Sequence, residues 1–527
     1  MATRLTWNSA TGILVRLDRG VTRVSSWIPS DAFMELNPLP VGFLGSLLVM
    51  LGSFQTNSPF TSKIPGSWYI GVPTSPHPGN LLVELGANTL VYLGLFLTGL
   101  AWVRLVAGVR RGEAVGRPWL LFWLWVLPLM VAGPLFSRDV YSYAAQGQMV
   151  SQGISPYKGG PSLLGTSPFL PTVDPLWGSA RAPYGPLFLI ADGLLVTVSG
   201  HSPLLSVLLL RLVALLSVVA IGFFVRRIAT IMGVNRDLAF VLSAANPVLL
   251  YTFASAGHND ALMTALMMAG IYLFLKDRRF LGIVVVALAA SVKVPAIVAI
   301  GFMGYNWTRS STVIDRMRGL LIALMITAAT FVLLGYASHF GLGWISALST
   351  PGSVLSFEDP IDAVGFALGS LLKVAGLPAG PSLVVGGLRI IGDLIVLVVG
   401  AFAVLGSTGR TMLRLAGVTL IVTVVLGPVI WPWYLGWGIV LLSLGAGELV
   451  SDFLIALTLS ALPIDLLGLP TVLAWFGYLV LLVIVWRFRD HLAREFKEAW
   501  SRALLSLDEL LPAWITGRLP AVLRVER

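Results

Sequence analysis

Long apolar runs separated by short polar intervals dominate the chain, and within the runs apolar and polar residues do not alternate. Leu81 to Val103, Pro203 to Val225 and Leu383 to Leu405 are examples. They approach the length of about 20 residues that a helix needs to cross a bilayer. Barrel strands would switch polarity at every second residue. The pattern predicts an all-α polytopic membrane protein.

Arginines set the direction of each crossing. Arg4, Arg16, Arg19 and Arg23 precede the first span, Leu39 to Phe54, and Arg104, Arg110, Arg111 and Arg117 follow the second, Leu81 to Val103. Basic residues gather on cytoplasmic loops. The N-terminus is therefore expected inside, and the third span, Trp119 to Phe136, runs outward and delivers Asp139 to the outer face. The loop from Ser137 to Ser202 is longer than the roughly 15 residues of an ordinary connection, which marks it as functional. Its apolar part, Gly185 to Val198, cannot be a crossing if Arg226, Arg227 and Arg236 are to stay inside. It is expected on or dipping into the outer leaflet.

After Pro203 to Val225 the chain is expected to come out through Leu238 to Ala256, surface at His258-Asn259-Asp260, and return through Ala261 to Leu275. Phe280 to Tyr305 has basic residues near both ends. That predicts a hairpin of two short helices with Ser291 to Pro295 at its outer tip, where proline breaks the helix. Leu320 to Tyr336 goes out, and Ile361 to Gly376 is a second surface or re-entrant helix. The remaining spans are Leu383 to Leu405, Ala416 to Ile430, Gly436 to Leu444, Phe453 to Leu466 and Thr471 to Trp486. The reading totals about 14 transmembrane helices with both termini cytoplasmic. Its segments are a cytoplasmic start (1–38), two N-terminal spans (39–118), a core with the outer loop 137–202 (119–345), a C-terminal bundle (346–487) and a cytoplasmic amphipathic tail (488–527).

Composition agrees. Of 527 residues, 56% are hydrophobic and 11% charged, with mean hydropathy +0.86, whereas a soluble domain carries about 25% charged residues. The net charge of +10 reflects arginine on cytoplasmic loops rather than a nucleic-acid surface, so membrane lipids are the expected surroundings. The absence of cysteine removes disulfides and thiolate metal sites. No apolar core precedes Pro38, so no cleavable signal peptide is expected.

Polar residues that sit oddly against hydrocarbon collect on the outer face: Asp139, Tyr141, Tyr143, Tyr157, Arg181, Tyr184, His258, Asp260, Lys293, Arg389, and the stretch Trp431-Pro432-Trp433-Tyr434. Each has a plainer reading. Ser137 or Asp139 could cap a surface helix, His258 and Asp260 could be loop residues, and Lys293 could snorkel to the interface. The tryptophans could form an aromatic belt, and Tyr184-Gly185-Pro186 a turn. Their convergence favours function, because ionisable residues in membranes default to functional candidates. The chemistry suggested is displacement at a carbon that carries a phosphate leaving group. Asp139 would take a proton from the attacking hydroxyl, and Lys293, with Arg181, His258 and Arg389, would neutralise the phosphate. Asp260 and the aromatics Tyr141, Tyr143, Tyr157, Tyr184, Trp431, Trp433 and Tyr434 would hold sugar. No glycine-rich phosphate loop stands at a strand–helix turn, which argues against a nucleotide donor. No clustered metal site is read. Asp139 with Asp260 is weak evidence for a divalent ion.

The stretches Ser137-Arg138-Asp139-Val140-Tyr141-Ser142-Tyr143, Gly153-Ile154-Ser155-Pro156-Tyr157, Pro183-Tyr184-Gly185-Pro186, Gly257-His258-Asn259-Asp260, Ser291-Val292-Lys293 and Trp431-Pro432-Trp433-Tyr434 carry a resemblance. The chain resembles the integral-membrane glycosyltransferases of the C superfamily, and most of all the actinobacterial polyprenol-phosphomannose-dependent α-1,6-mannosyltransferases of lipomannan synthesis. The resemblance runs from about Trp119 to Tyr434. The two earlier spans look like an addition to it. It implies an essential acid at Asp139 and a second acidic site at Asp260. The implied donor is a polyprenyl-phosphate-mannose, the acceptor a lipid-anchored mannan, and the transfer inverting, with no cofactor and no metal. The site would face outward from the plasma membrane. Two rivals stay open: a polyprenyl-phosphate-arabinofuranose transferase on the same fold, and a transporter or flippase, which would want similar halves that the sequence does not show.

Overall fold

A computed structural model describes residues 31–54, 81–308, 312–355, 359–377, 380–445, 447–466 and 497–506, with isolated positions between 479 and 489. The described residues form helices joined by loops. Helices α1 (Pro38–Ser53) and α2 (Leu81–Arg110) pack along one another, and α3 (Pro118–Val131) lies against α1. Small residues let α1 and α2 approach: a Cβ on Gly45 would come 2.7 Å from the Gly94 carbonyl. Small residues at such positions are how membrane helices approach closely.

The expected third span ends early, at Val131, because Gly133 and Pro134 cannot continue the helix. Arg211 Nη2 and Ser255 Oγ both donate to the Leu129 carbonyl left open there, at 2.9 and 3.0 Å. After that irregular stretch α4 (Asp139–Ser151) begins, and it packs against α5 (Pro186–Val198) and α6 (Pro203–Met232).

The outward run Leu238 to Ala256 is not one helix. It divides into α7 (Arg236–Leu242) and a π-helical segment, Leu249–Ser255. Pro247 lacks a donor, and Asn246 Oδ1 accepts from Val248 N at 2.9 Å, a local turn that competes with the helix. Then α8 (Asp260–Leu275) packs on α9 (Arg279–Ala290), the latter ending at Ser291-Val292-Lys293. A short 3-10 turn, Val294–Ala296, leads into α10 (Ile297–Tyr305). The break expected at Ser291 to Pro295 is present.

Beyond it lie α11 (Val313–Ala337), α12 (Pro360–Val374), α13 (Pro381–Leu405), α14 (Met412–Val425), α15 (Pro432–Leu442) and α16 (Glu448–Leu466). Four helices are long and apolar enough to cross a membrane among the described residues, at Leu85–Arg110, Pro203–Met232, Val313–Ala337 and Pro381–Leu405, beside shorter apolar ones. The span expected at Thr471 to Trp486 lies outside the described residues. The helical residues 497–506 dock on the end of α13, where Arg502 Nε donates to the Gly406 carbonyl at 2.8 Å.

Candidate active site

Helix starts and one turn bring the polar residues together. Arg138 occupies the cap position of α4 and makes no side-chain cap bond, while Asp139 N donates to Ser137 Oγ at 3.1 Å. The Asp139 carboxylate points elsewhere. Tyr143, one turn on, donates its hydroxyl to Oδ2 at 3.4 Å. His258 Nδ1 lies 3.5 Å from the same oxygen, a distance of charge contact rather than a hydrogen bond. Asp139 keeps 15% of its side-chain surface open.

Gly257 sets up the second half. Its φ of +78° suits glycine, and a Cβ there would meet Arg211 Cγ at 3.0 Å. The turn it makes delivers His258, Asn259 and Asp260, all buried, to the start of α8. Arg211 braces that turn from α6 by donating Nε to the Ser255 carbonyl at 2.9 Å.

Asp260 is fully buried and clamped. Lys293 Nζ donates to both its oxygens, at 2.8 and 2.9 Å, and Trp437 Nε1 donates to Oδ1 at 2.6 Å. The ammonium sits 4.1 Å from the Tyr434 ring centroid and 5.4 Å from that of Trp437, so two aromatic faces share its charge. A stack adjoins it: Trp431 on Trp433 at 5.0 Å, and Trp433 on His258 at 3.9 Å.

Tyr184 closes the third side, packed edge-on against Tyr143 at 5.2 Å. Burial first, then the nearby Asp139 charge, pushes its phenol well above the usual value. Burial likewise raises Tyr143, with Tyr184 and Asp139 adding to it. Both phenols therefore stay protonated, and that of Tyr143 donates to Asp139. The Tyr184 loop is fixed by backbone: Gly185 N donates to the Val292 carbonyl and Leu187 N to the Ser291 carbonyl, each at 3.1 Å. The Pro183 to Pro186 stretch thus docks directly on the segment that carries Lys293.

Other sequence candidates lie apart. Tyr157 donates to the Tyr184 carbonyl at 2.9 Å and packs with Ala182, Leu189 and Ala347, bracing the loop from behind. Tyr141 is buried, two residues from both Asp139 and Tyr143, and faces away from them. Arg181 is exposed. Arg389 meets Asp362 through a two-pronged contact at 2.8 and 2.7 Å. It also donates to the carbonyls of Gly352, Val354 and Pro428. With Asp359 accepting from Ile430 N at 2.7 Å, it holds the segment that leads to Trp431.

Three participants escaped the sequence reading. Trp437 follows Tyr434 and Trp433 by three and four residues, the spacing of one helix face. Arg211 is a lone charge in an apolar span, a signal in itself. Asn259 is buried with both amide atoms unpartnered among the described residues, as are the His258 ring nitrogens and Trp433 Nε1.

A membrane-type helical scaffold with two unequal carboxylates, an ammonium and stacked aromatics defines a polar site cut into an apolar bundle. Ionisable residues set in a membrane-type scaffold mark a functional site. Residues 39–309 match the family described as "Alpha-(1->6)-mannopyranosyltransferase, N-terminal domain", and the chain belongs to that family. The match takes in the first two spans. An alpha-(1->6)-mannopyranosyltransferase of Mycobacterium tuberculosis is 32% identical, over 66% of this chain and 68% of that protein. A probable alpha-(1->6)-mannopyranosyltransferase of Mycolicibacterium smegmatis is 32% identical, over 68% and 71%. Alpha-(1->6)-mannopyranosyltransferase B of Corynebacterium glutamicum is 28% identical, over 78% and 73%. No solved structure matches.

Proposed function

We propose that the chain is an inverting α-1,6-mannosyltransferase. It draws mannose from a polyprenyl-phosphate donor and adds it to a lipid-anchored mannan on the outer face of the plasma membrane. The observation that carries this reading is the inequality of the two carboxylates. Asp260 is committed to Lys293 and Trp437. Among the described residues Asp139 has no such partner, makes long side-chain contacts to Tyr143 and His258 alone, and remains partly open.

Asp139 takes the proton from the acceptor 6-hydroxyl, and that oxygen attacks C1 of the mannosyl group on the face opposite the phosphate. The C1–oxygen bond to the phosphate breaks, and its electron pair leaves with the lipid phosphate. Two N–H groups of Lys293 are held by Asp260; its third meets the growing negative charge, with Arg181 at the loop above. Asp260 holds the ammonium in place through both its oxygens, so it positions rather than reacts. His258 stands beside the Asp139 carboxylate, stacked on Trp433. The rings of Trp431, Trp433, Tyr434, Tyr143 and Tyr184 line the sugar path, and Arg389 supports it from behind. No step calls for a metal ion. Family membership and the apolar helices support the mannosyl chemistry and the membrane setting.

The test is an assay of membranes that overproduce the chain, given radiolabelled polyprenyl-phosphomannose and a short α-mannoside. An α-1,6-linked product is expected. A product labelled only from the arabinofuranosyl donor would overturn the choice of sugar.

A further inference from the structure

A cavity of about 430 Å³ lies at the far ends of α8 and α9 from Asp260 and Lys293. The 16 residues of α8 rise about 24 Å, so the cavity stands nearly a membrane thickness away from the carboxylates. Its walls come from the α8–α9 turn (Asp277, Arg279), the end of α10 (Asn306, Thr308), the start of α11 (Arg316) and the α13–α14 loop (Thr408).

Donors outnumber acceptors in it. Arg316 Nη2 donates to Asn306 Oδ1 at 3.0 Å and to the Ser407 carbonyl at 2.6 Å, and its Nε to the Tyr305 carbonyl at 3.2 Å, which holds the guanidinium in place; Nη1 makes no hydrogen bond among the described residues. Arg279 uses Nη2 on Asp277 Oδ1 at 3.0 Å, and its Nε and Nη1 make no hydrogen bond among the described residues. Thr308 Oγ1 is enclosed and has no partner among the described residues. The one carboxylate present, Asp277, is offset by Arg279, so Arg316 leaves a net positive charge. Phe274, Leu275 and Met412 supply an apolar side wall.

We propose that this cavity binds a phosphate-bearing anion, supplied by the headgroup of an anionic phospholipid or by free phosphate. Planar guanidinium forks match phosphate oxygens, and basic pockets between membrane helices suit lipid headgroups. Neither Arg279 nor Thr408 touches the residues assigned to transfer.

The full chain, purified in detergent, is to be heated with inorganic phosphate, with short-chain phosphatidylglycerol, or with phosphatidylcholine of equal chain length. Phosphatidylglycerol should raise the unfolding midpoint more than phosphatidylcholine. An equal rise from inorganic phosphate would mean that the phosphate group suffices, and a rise from phosphatidylglycerol alone would assign the site to the lipid. The double variant Arg279→Gln/Thr408→Val should weaken the responsive ligand about tenfold or more, as loss of charge-assisted bonds requires. Its ligand-free midpoint should be unchanged; if it does not fold, Thr408→Val alone serves, with a smaller loss in the same direction. No rise with either anion, an equal rise with phosphatidylcholine, or undiminished binding by the variant overturns the proposal.

Discussion

Two aspartates of the same chemistry stand in opposite surroundings. Asp260 is sealed in and neutralised by Lys293, an arrangement whose rupture is costly because it strands a buried charge. Lys293→Ala should therefore lower stability by about 3–5 kcal/mol, read by denaturant unfolding, as well as abolish transfer. The paired replacement Asp260→Leu/Lys293→Met should recover much of that stability, since apolar pairs often replace buried ion pairs without loss, yet recover no activity. Recovered transfer would show the pair to be structural only. Trp437→Phe keeps an aromatic ring, though a smaller one, but removes the 2.6 Å bond to Asp260, and should cost about 1–3 kcal/mol in the same measurement. At this scale the sequence was informative about charge and less so about geometry. A carboxylate, a histidine and a lysine beside apolar runs announced themselves, whereas Tyr141 lay on the wrong helix face and Arg389 was already occupied by Asp362. Trp437 was hidden because an indole in an apolar helix reads as packing.

The elements matter most where they break. Pro295 and Asn246-Pro247 interrupt would-be helices, and both interruptions lead to site residues. The first was legible from charge at both ends of one apolar run. The second was not, because hydropathy sees Leu238 to Ala256 as continuous while the backbone leaves the α-helix after Leu242. Nor could any pattern show that the Tyr184 loop docks on the Lys293 segment, which takes long-range backbone pairing. That docking admits no side chain: a Cβ at position 185 would stand 2.2 Å from the Ser291 carbonyl oxygen. Gly185→Ala should force the two segments apart, lowering the unfolding midpoint and transfer together. A variant of wild-type stability and activity would refute the docking.

Over the whole molecule, hydropathy and arginine placement conveyed the helical class and the order of segments, because both follow from the cost of polar groups in lipid. The site's assembly from α4, α8, the α9–α10 break and α15 was legible only as a shared side. Sidedness can be tested directly, since the chain has no native cysteine. Lys158 is exposed on the loop side of the site, and Arg318 is 73% exposed at the start of α11. Lys158→Cys should react with an impermeant thiol reagent in intact cells, and Arg318→Cys only after lysis. The reverse pattern would invert the topology. On the proposed role of Lys293 at the leaving phosphate, a chelator should leave transfer unchanged; loss restored by added magnesium would contradict that role.

The central claim is that Asp139 is the base. Asp139→Asn preserves size and could still cap a helix, so it separates chemistry from structure. Purified wild type and variant are to be compared for mannosyl transfer from polyprenyl-phosphomannose, with folding and donor binding measured alongside. A positioned base contributes about 10²–10⁴-fold, so the variant should fold, bind donor and transfer at least about a hundredfold more slowly. A rate above about a tenth of wild type, well short of the loss a base implies, would contradict the account.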